Sequence, residues 1–196
     1  MRTFKQFVGS LCFLLTILGL TSLLVSPFSF AKGGEGSAAG VQVGQVWPAG
    51  KIGDDTDNTI APGLFYEYQT GDAFGLKVDW IRARHPNDKL AVDTFSAGIK
   101  GNLIYYDALV PYAFFGMGIY SVSKLVPNMA PFYADKTVFG MNFGFGADLN
   151  LSDAAFIGMQ FGVHNLFSGN ATLENGTTYE VSGRWSGFML RVGARF

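Results

Sequence analysis

One pattern constrains this chain more than any other: apolar residues recur at every second position through most of its length. Phe188, Leu190, Val192, Ala194 and Phe196 alternate with Met189, Arg191, Gly193 and Arg195. Ala155, Ile157, Met159, Phe161 and Val163 alternate with Phe156, Gly158, Gln160, Gly162 and His164 in the same way. Phe139, Met141, Phe143, Phe145, Ala147 and Leu149 alternate with Gly140, Asn142, Gly144, Gly146, Asp148 and Asn150. A period of two places successive side chains on opposite faces of a β-strand. The same rhythm predicts strands at about 40–47, 60–69, 73–84, 91–105 and 109–122, eight in all, and no helical period of comparable length follows residue 40. Gln45 interrupts the apolar face of the first, the least regular of the set. Residues 40–196 therefore read as one all-β unit.

The two faces differ in kind. A water-soluble sandwich would carry Lys, Glu and Thr on its polar face, whereas here that parity holds Gly44, Gly63, Gly98, Gly116, Gly144 and Gly158 beside Phe65, Tyr112, Phe114, Tyr120, Phe156 and Trp185. Glu67, Lys77, Asp79, Lys100, Asp148, His164, Arg191 and Arg195 share it, and no charge falls on the apolar parity within the expected spans. Small residues beside large ones fit the crowded interior of a narrow closed barrel, with the uninterrupted apolar face toward lipid. The predicted fold is an eight-stranded antiparallel up-and-down transmembrane β-barrel with a packed, polar lumen. Charges buried there must be paired or hydrated, so these residues are expected to form an ion-pair network. A three-residue turn at Thr70-Gly71-Asp72 would pair Gln69 with Ala73 and Glu67 with Gly75, leaving Glu67 diagonal to Lys77.

Connection lengths agree with this reading. The gaps near Gly71-Asp72, Asp107 and Ser152-Asp153 are short, while those at 48–59, 85–90, 123–136 and 166–183 are longer. Outer-membrane barrels have short periplasmic turns and long external loops, and an even strand number returns both termini to the periplasm. Trp47, Trp80 and Phe167 at the long-loop end, with Tyr66, Tyr68, Phe74, Tyr105 and Phe196 at the other, would form the two interfacial aromatic girdles.

The first thirty-one residues bear on compartment. Arg2 and Lys5 precede an uncharged run from Gln6 to Val25, and Ser29 and Ala31 offer small residues for cleavage after Ala31, the pattern of a secretory signal peptide. The run approaches the length of an uncleaved anchor, but Pro27 breaks a helix there. Cys12 lacks the leucine three positions before it that a lipoprotein signal requires. Residues 1–31 are thus read as a cleaved signal peptide and 32–39 as a flexible Gly/Ser/Ala lead-in. Cleavage removes the sole cysteine, which excludes a disulfide or thiolate chemistry in the mature chain. The formal net charge of −1 offers no electrostatic footprint for nucleic acid.

At this point the sequence resembles a known family. The terminal Phe188 to Phe196 segment, with Phe188, Leu190, Val192 and the final Phe196 on one parity, resembles the assembly signal of bacterial outer-membrane proteins. Pro111-Tyr112-Ala113-Phe114-Phe115-Gly116-Met117-Gly118 and Gly144-Phe145-Gly146-Ala147-Asp148 are similar to strands five and six of small OmpA/OmpX/OmpW-like barrels. The resemblance implies an outer-membrane address, lipid as the surrounding partner, and delivery by periplasmic chaperones and the barrel-assembly machinery. It also implies a non-enzymatic structural or surface-interaction role, with an extracellular ligand met through the loops, Ser168 to Gly183 foremost. A fold alone does not specify an activity. The alternative is an OmpW-like channel for ions or small apolar solutes, motivated by lumen glycines that could leave a void.

A third reading, an enzyme acting on lipid A, would use His164 as base and Ser168 as nucleophile. The spacing His164-Asn165-Leu166-Phe167-Ser168 does not reproduce the His-x-Ser-Asn pattern of the deacylases, and only Glu174 and Glu180 lie near as orienting acids. His85 and His164, far apart and without cysteine, make no zinc motif. Asp54-Asp55-Thr56-Asp57-Asn58 offers hard oxygens but lacks the glycine and distal glutamate of a calcium loop, so a solvated loop is expected. The glycine pairs 116/118 and 144/146 precede strands, not the helix N-terminus that a phosphate site needs. No cofactor or metal is implied.

Overall fold

The computed structural model describes residues 36–54, 56–104, 108–126, 133–172 and 176–196. The proposed signal peptide, residues 32–35, Tyr105 and Glu174 lie outside the described residues. Eight strands follow one another: β1 (Gly36–Ala49), β2 (Thr59–Gln69), β3 (Phe74–Arg84), β4 (Leu90–Asn102), β5 (Leu109–Leu125), β6 (Tyr133–Asn150), β7 (Ala155–Thr172) and β8 (Thr178–Arg195). Each is antiparallel to its neighbour in sequence, and β1 pairs with β8 to close the barrel.

The cross-strand register can be followed round the wall. Ala38 faces Glu67, then Lys77, Gly98, Gly116, Asn142, His164 and Trp185 in turn, and the path returns to β1 at Pro48, ten residues from where it began. That stagger tilts the strands and sets the narrow bore of an eight-stranded barrel. At the turn end, Ser37 and Phe196 exchange backbone hydrogen bonds of 2.9 and 2.8 Å, which locks the seam.

Several details differ from the sequence reading. β1 begins at Gly36, so the last four residues of the expected lead-in are strand, paired with β2 on one side and, from Ala38, with β8 on the other. The β2–β3 turn is Gly71-Asp72-Ala73, because both the Thr70 amide and its hydroxyl bond the Phe74 carbonyl at 3.1 Å. Moving the turn by one residue shifts every partner by two, so Glu67 lies directly opposite Lys77 and Gln69 opposite Gly75. Among the described residues, strand continues into the expected loops 123–136 and 166–183, over 123–125, 133–136, 166–172 and 178–183. β7 and β8 stay paired from a bulge between Leu166 and Gly169 up to Thr172 opposite Thr178. Backbone pairing needs no apolar side chain, so a polar sequence can continue a ladder into water.

Inside the barrel, large rings lie over glycines of neighbouring strands. A methyl built on Gly144 would stand 2.6 Å from Phe114 Cζ, one on Gly193 2.6 Å from Phe156 Cζ, and one on Gly146 2.5 Å from Tyr112 Cζ. These three lumen glycines are seats for aromatic rings, whereas Gly98 and Gly116 face each other's backbone and carry no ring. A remaining cavity of about 10 Å³, bordered by Lys77, Asp79, Ser96 and Asn142, is room for one water.

The interior is also less uniformly polar than the sequence suggested. Toward the β7–β8 hairpin end, Val46, Ala61, Ile81, Leu90, Val122 and Val181 form a buried apolar cluster with Trp185 and Met189. Outside, Leu64, Phe95, Phe115, Phe139, Phe145 and Leu190 form part of an exposed apolar band. Above it the exterior turns polar: Arg82 and Arg84 follow Trp80 on β3, and Ser121 and Ser123 follow Ile119 on β5.

The ring seats make a direct prediction. Gly144→Val overpacks against Phe114 and costs about 1–3 kcal/mol, whereas Gly71→Val, in a turn with no atom within 4 Å of the added carbon, stays within about 0.5 kcal/mol. Urea unfolding of the refolded barrel in detergent, followed by tryptophan fluorescence, measures both.

Candidate functional site

The inward parity delivers charged side chains from five strands to one level of the barrel. Glu67 of β2 accepts from Lys100 of β4 at 2.7 Å and from Arg191 of β8. Lys100 also donates to Asp148 of β6 at 2.7 Å, and Arg191 Nη1 lies 3.6 Å from the same carboxylate. Lys77 of β3, although opposite Glu67, pairs with Asp79 two residues along its own strand. Gln42 Nε2 donates to Asp79 at 3.0 Å. Three carboxylates thus meet three cations, and the ring is neutral as a unit.

Aromatic faces complete the surroundings. Lys100 Nζ is 4.0 Å from the centre of the Tyr112 ring and Lys77 Nζ 4.8 Å from that of Phe114, while the Arg191 guanidinium lies 4.0 Å from that of Phe65. A desolvated cation over an aromatic face gains electrostatic stabilisation that water no longer supplies. Arg191 also donates to the Tyr112 hydroxyl, which donates in turn to Gln160 at 3.3 Å. All six charged groups are buried.

Two residues of the expected network lie apart from it. His164 is buried one level away, its Nδ1 3.0 Å from the Tyr120 hydroxyl and its ring stacked on Trp185 at 3.7 Å. Arg195 is partly exposed and rests on the Phe156 ring at 4.6 Å. Conversely, Gln42, Tyr112 and Gln160 belong to the network although sequence reasoning did not name them for it. Their inward parity was the available signal.

Ser168 does not approach His164 as a catalytic partner. It is exposed and donates to Glu180 at 2.9 Å, whereas His164 faces the interior. His85 Nδ1 contacts the Asp57 carbonyl at 2.6 Å. Among the described residues no group of three or more His, Cys, Asp or Glu side chains is arranged to hold a metal. The outward aromatics Trp80, Tyr66, Tyr68, Phe74 and Phe196 are exposed, as are Phe188, Leu190 and Val192, while Trp47 is partly covered.

Asp54, Asp57 and Asn58 are exposed, whereas the start of the β1–β2 connection is anchored. Its single 3-10 turn, Gly50–Ile52, seats Ile52 in the apolar cluster at 1% exposure. Lys124 of β5 donates to the carbonyls of Lys51 and, at 3.1 Å, of Asp54. The Lys51 ammonium pairs with Glu180, which also accepts from Ser182 at 3.0 Å. These bonds, Lys51 first, hold the Glu180 carboxyl down at about 2. The connection is therefore clasped over the mouth of the barrel.

Comparison with known proteins agrees with this architecture. A family model described as "Outer membrane protein beta-barrel domain" matches residues 15–196. None of the curated proteins matches the chain. The N-terminal β-barrel domain of Pseudomonas aeruginosa OprF is similar in structure, with 15% identity, a TM-score of 0.58, and coverage of 83% of this chain and 99% of that one. Outer membrane protein OprG of Pseudomonas aeruginosa shows 13% identity and a TM-score of 0.61 over 86% of this chain and 99% of that one. Neisserial surface protein A shows 14% identity and a TM-score of 0.58 over 84% and 98%. At these identities the likeness is one of fold.

Two predictions follow from the site. Arg191→Met leaves Lys100 alone to answer both Glu67 and Asp148, so it costs about 3–5 kcal/mol; Arg195→Met, lacking a buried partner, costs less than about 1 kcal/mol. Urea midpoints in detergent compare the two. Because the Glu180 carboxyl titrates lower when folded than when free, its contribution to the clasp is complete above about pH 4.5 and is lost as pH falls toward about 2. The protection factors of the Gly50–Gly53 amides, taken against the intrinsic exchange rate at each pH, should fall across that interval, and Glu180→Gln should remove the fall.

Proposed function

The chain belongs to the outer membrane protein β-barrel domain family, and from that premise we propose a non-enzymatic role: a structural barrel of the bacterial outer membrane that meets its surroundings through one end. In this reading the signal peptide Met1–Ala31 directs export, and periplasmic chaperones and the barrel-assembly machinery insert the chain. Both termini face the periplasm, and the β7–β8 hairpin end faces outward. Outer-membrane lipid surrounds the apolar band. An extracellular ligand would meet a paired hairpin at Ser168–Gly183, stiffer than a free loop and better able to hold one binding geometry.

The observation that carries this reading is the filled interior. A neutral ring of six charged groups crosses the bore, aromatic rings occupy the glycine seats, and Ile52 is buried under the clasped mouth. Together they disfavour conduction, so the polar lumen network is proposed to be structural. The separate partners of His164 and Ser168 likewise disfavour lipid modification.

Planar-bilayer recordings of the refolded mature barrel test the proposal. Silence is expected. Reproducible conductance steps whose ion selectivity shifts in Lys100→Glu would instead make the ring part of a path, and the channel reading would replace this one.

A further inference from the structure

On the outer wall, β3 passes within two residues from apolar to cationic. Leu76, Val78 and Trp80 face outward in succession, and Arg82 and Arg84 continue the same face. On the adjoining β4, Phe95 and Ile99 face outward below Asp93, which is the register partner of Arg82. The Arg82 guanidinium lies 5.6 Å from the centre of the Trp80 ring. These two arginines therefore stand at the upper rim of the apolar band, the depth at which a surrounding bilayer presents its headgroups.

Their charge is not fully matched. Arg82 Nε donates to Asp93 at 2.7 Å and Arg84 Nη2 donates to the same carboxylate at 3.0 Å, with a longer contact of 3.5 Å from Arg82 Nη2. Two guanidiniums thus share one carboxylate, leaving an excess positive charge. Their side chains remain 48% and 50% exposed, so the donors not given to Asp93 are open to the surroundings. The register lays Arg82, Asp93, Ser121 and Thr137 side by side, with Arg84, Ala91, Ser123 and Asp135 on the adjacent row, so Asp135 stands beyond Ser123, three strands from Arg84.

We infer that Arg82 and Arg84, flanked by Ser121 and Ser123, form a binding site for the phosphate groups of membrane lipid headgroups. A guanidinium offers a planar pair of donors that matches two phosphate oxygens, and serine hydroxyls add further donors. The apolar outward residues just below supply the surface on which the acyl chains of the same lipid lie. The orientation, with this site in the outer leaflet, rests on the proposed function.

The test uses the mature barrel folded in nonionic detergent, with lipid A and its dephosphorylated form as probes and retained lipid read by native mass spectrometry. Lipid A should be retained about tenfold more tightly than the dephosphorylated form, the order of effect of two surface arginines. Arg82→Gln/Arg84→Gln should erase that preference, and Asp93→Asn, which removes the competing carboxylate, should increase it. Arg184→Gln, a cation exposed on β8, should leave it unchanged. Equal retention of both lipids, or a double variant that matches wild type, overturns the site. Displacement by millimolar inorganic phosphate would assign it to free phosphate and overturn the lipid. Labelling of Thr137→Cys on intact cells by an impermeant maleimide tests the orientation separately: absence of labelling refutes the outward end while leaving the detergent result standing.

Discussion

A sheet surrounded by hydrocarbon has nowhere to send an unpaired backbone N–H or C=O, and each such group costs several kcal/mol. Closure is therefore the condition on which everything else in this molecule depends. It is met by β1 pairing with β8 from Ala38 opposite Arg195 to Ala49 opposite Arg184, with Ser37 and Phe196 completing the seam through their backbones. The apolar exterior then faces no penalty, and the cost moves to the enclosed interior.

Eight strands at this stagger leave a bore too narrow for bulk water and too wide to be filled by one kind of side chain. Glycines opposite rings resolve the volume, as Gly144 under Phe114 and Gly193 against Phe156 illustrate. The charges resolve the remaining polarity. Glu67 is shared between Lys100 and Arg191, and Lys100 between Glu67 and Asp148, so each ion answers another and the whole ring is neutral. Buried pairs of this kind add little net stability compared with well-packed apolar residues, but the loss of one member is severe. Their energetic role is thus to make the ring indivisible, which ties β2, β4, β6 and β8 across the bore.

Much of this was legible from the period of two. Strand number, the inward set Glu67, Lys77, Asp79, Lys100, Asp148 and Arg191, and the pairing of rings with glycines all follow from parity. Parity cannot assign partners, however. Whether Thr70 lies in the turn or just before it decides if Glu67 meets Gly75 or Lys77, and the Thr70 amide and hydroxyl, both bonded to the Phe74 carbonyl, make that choice. Nor can it tell that Lys77, once opposite Glu67, turns to Asp79. Strand ends differ from the sequence reading at both ends of the barrel, at Gly36 as at Leu125 and Thr172, because apolar content marks where hydrocarbon lies, whereas hydrogen bonding marks where the ladder stops.

The unequal ends express one rule applied in two solvents. Within the band, apolar residues face outward and charges inward; beyond Trp80 the same strand places Arg82 and Arg84 outward and Ile81 and Ala83 inward. There the barrel resembles a water-soluble core, apolar inside and polar outside, and such a core needs its open top covered. Ile52 covers it, and the position of Ile52 depends on polar groups that a sequence reading assigns to a solvated loop. Lys124 holds the backbone of Lys51 and Asp54 from within, and Glu180 holds the Lys51 ammonium from outside. The connection that looked most like a loop is thereby the element that closes the wet end of the core, just as the β1–β8 seam closes the sheet.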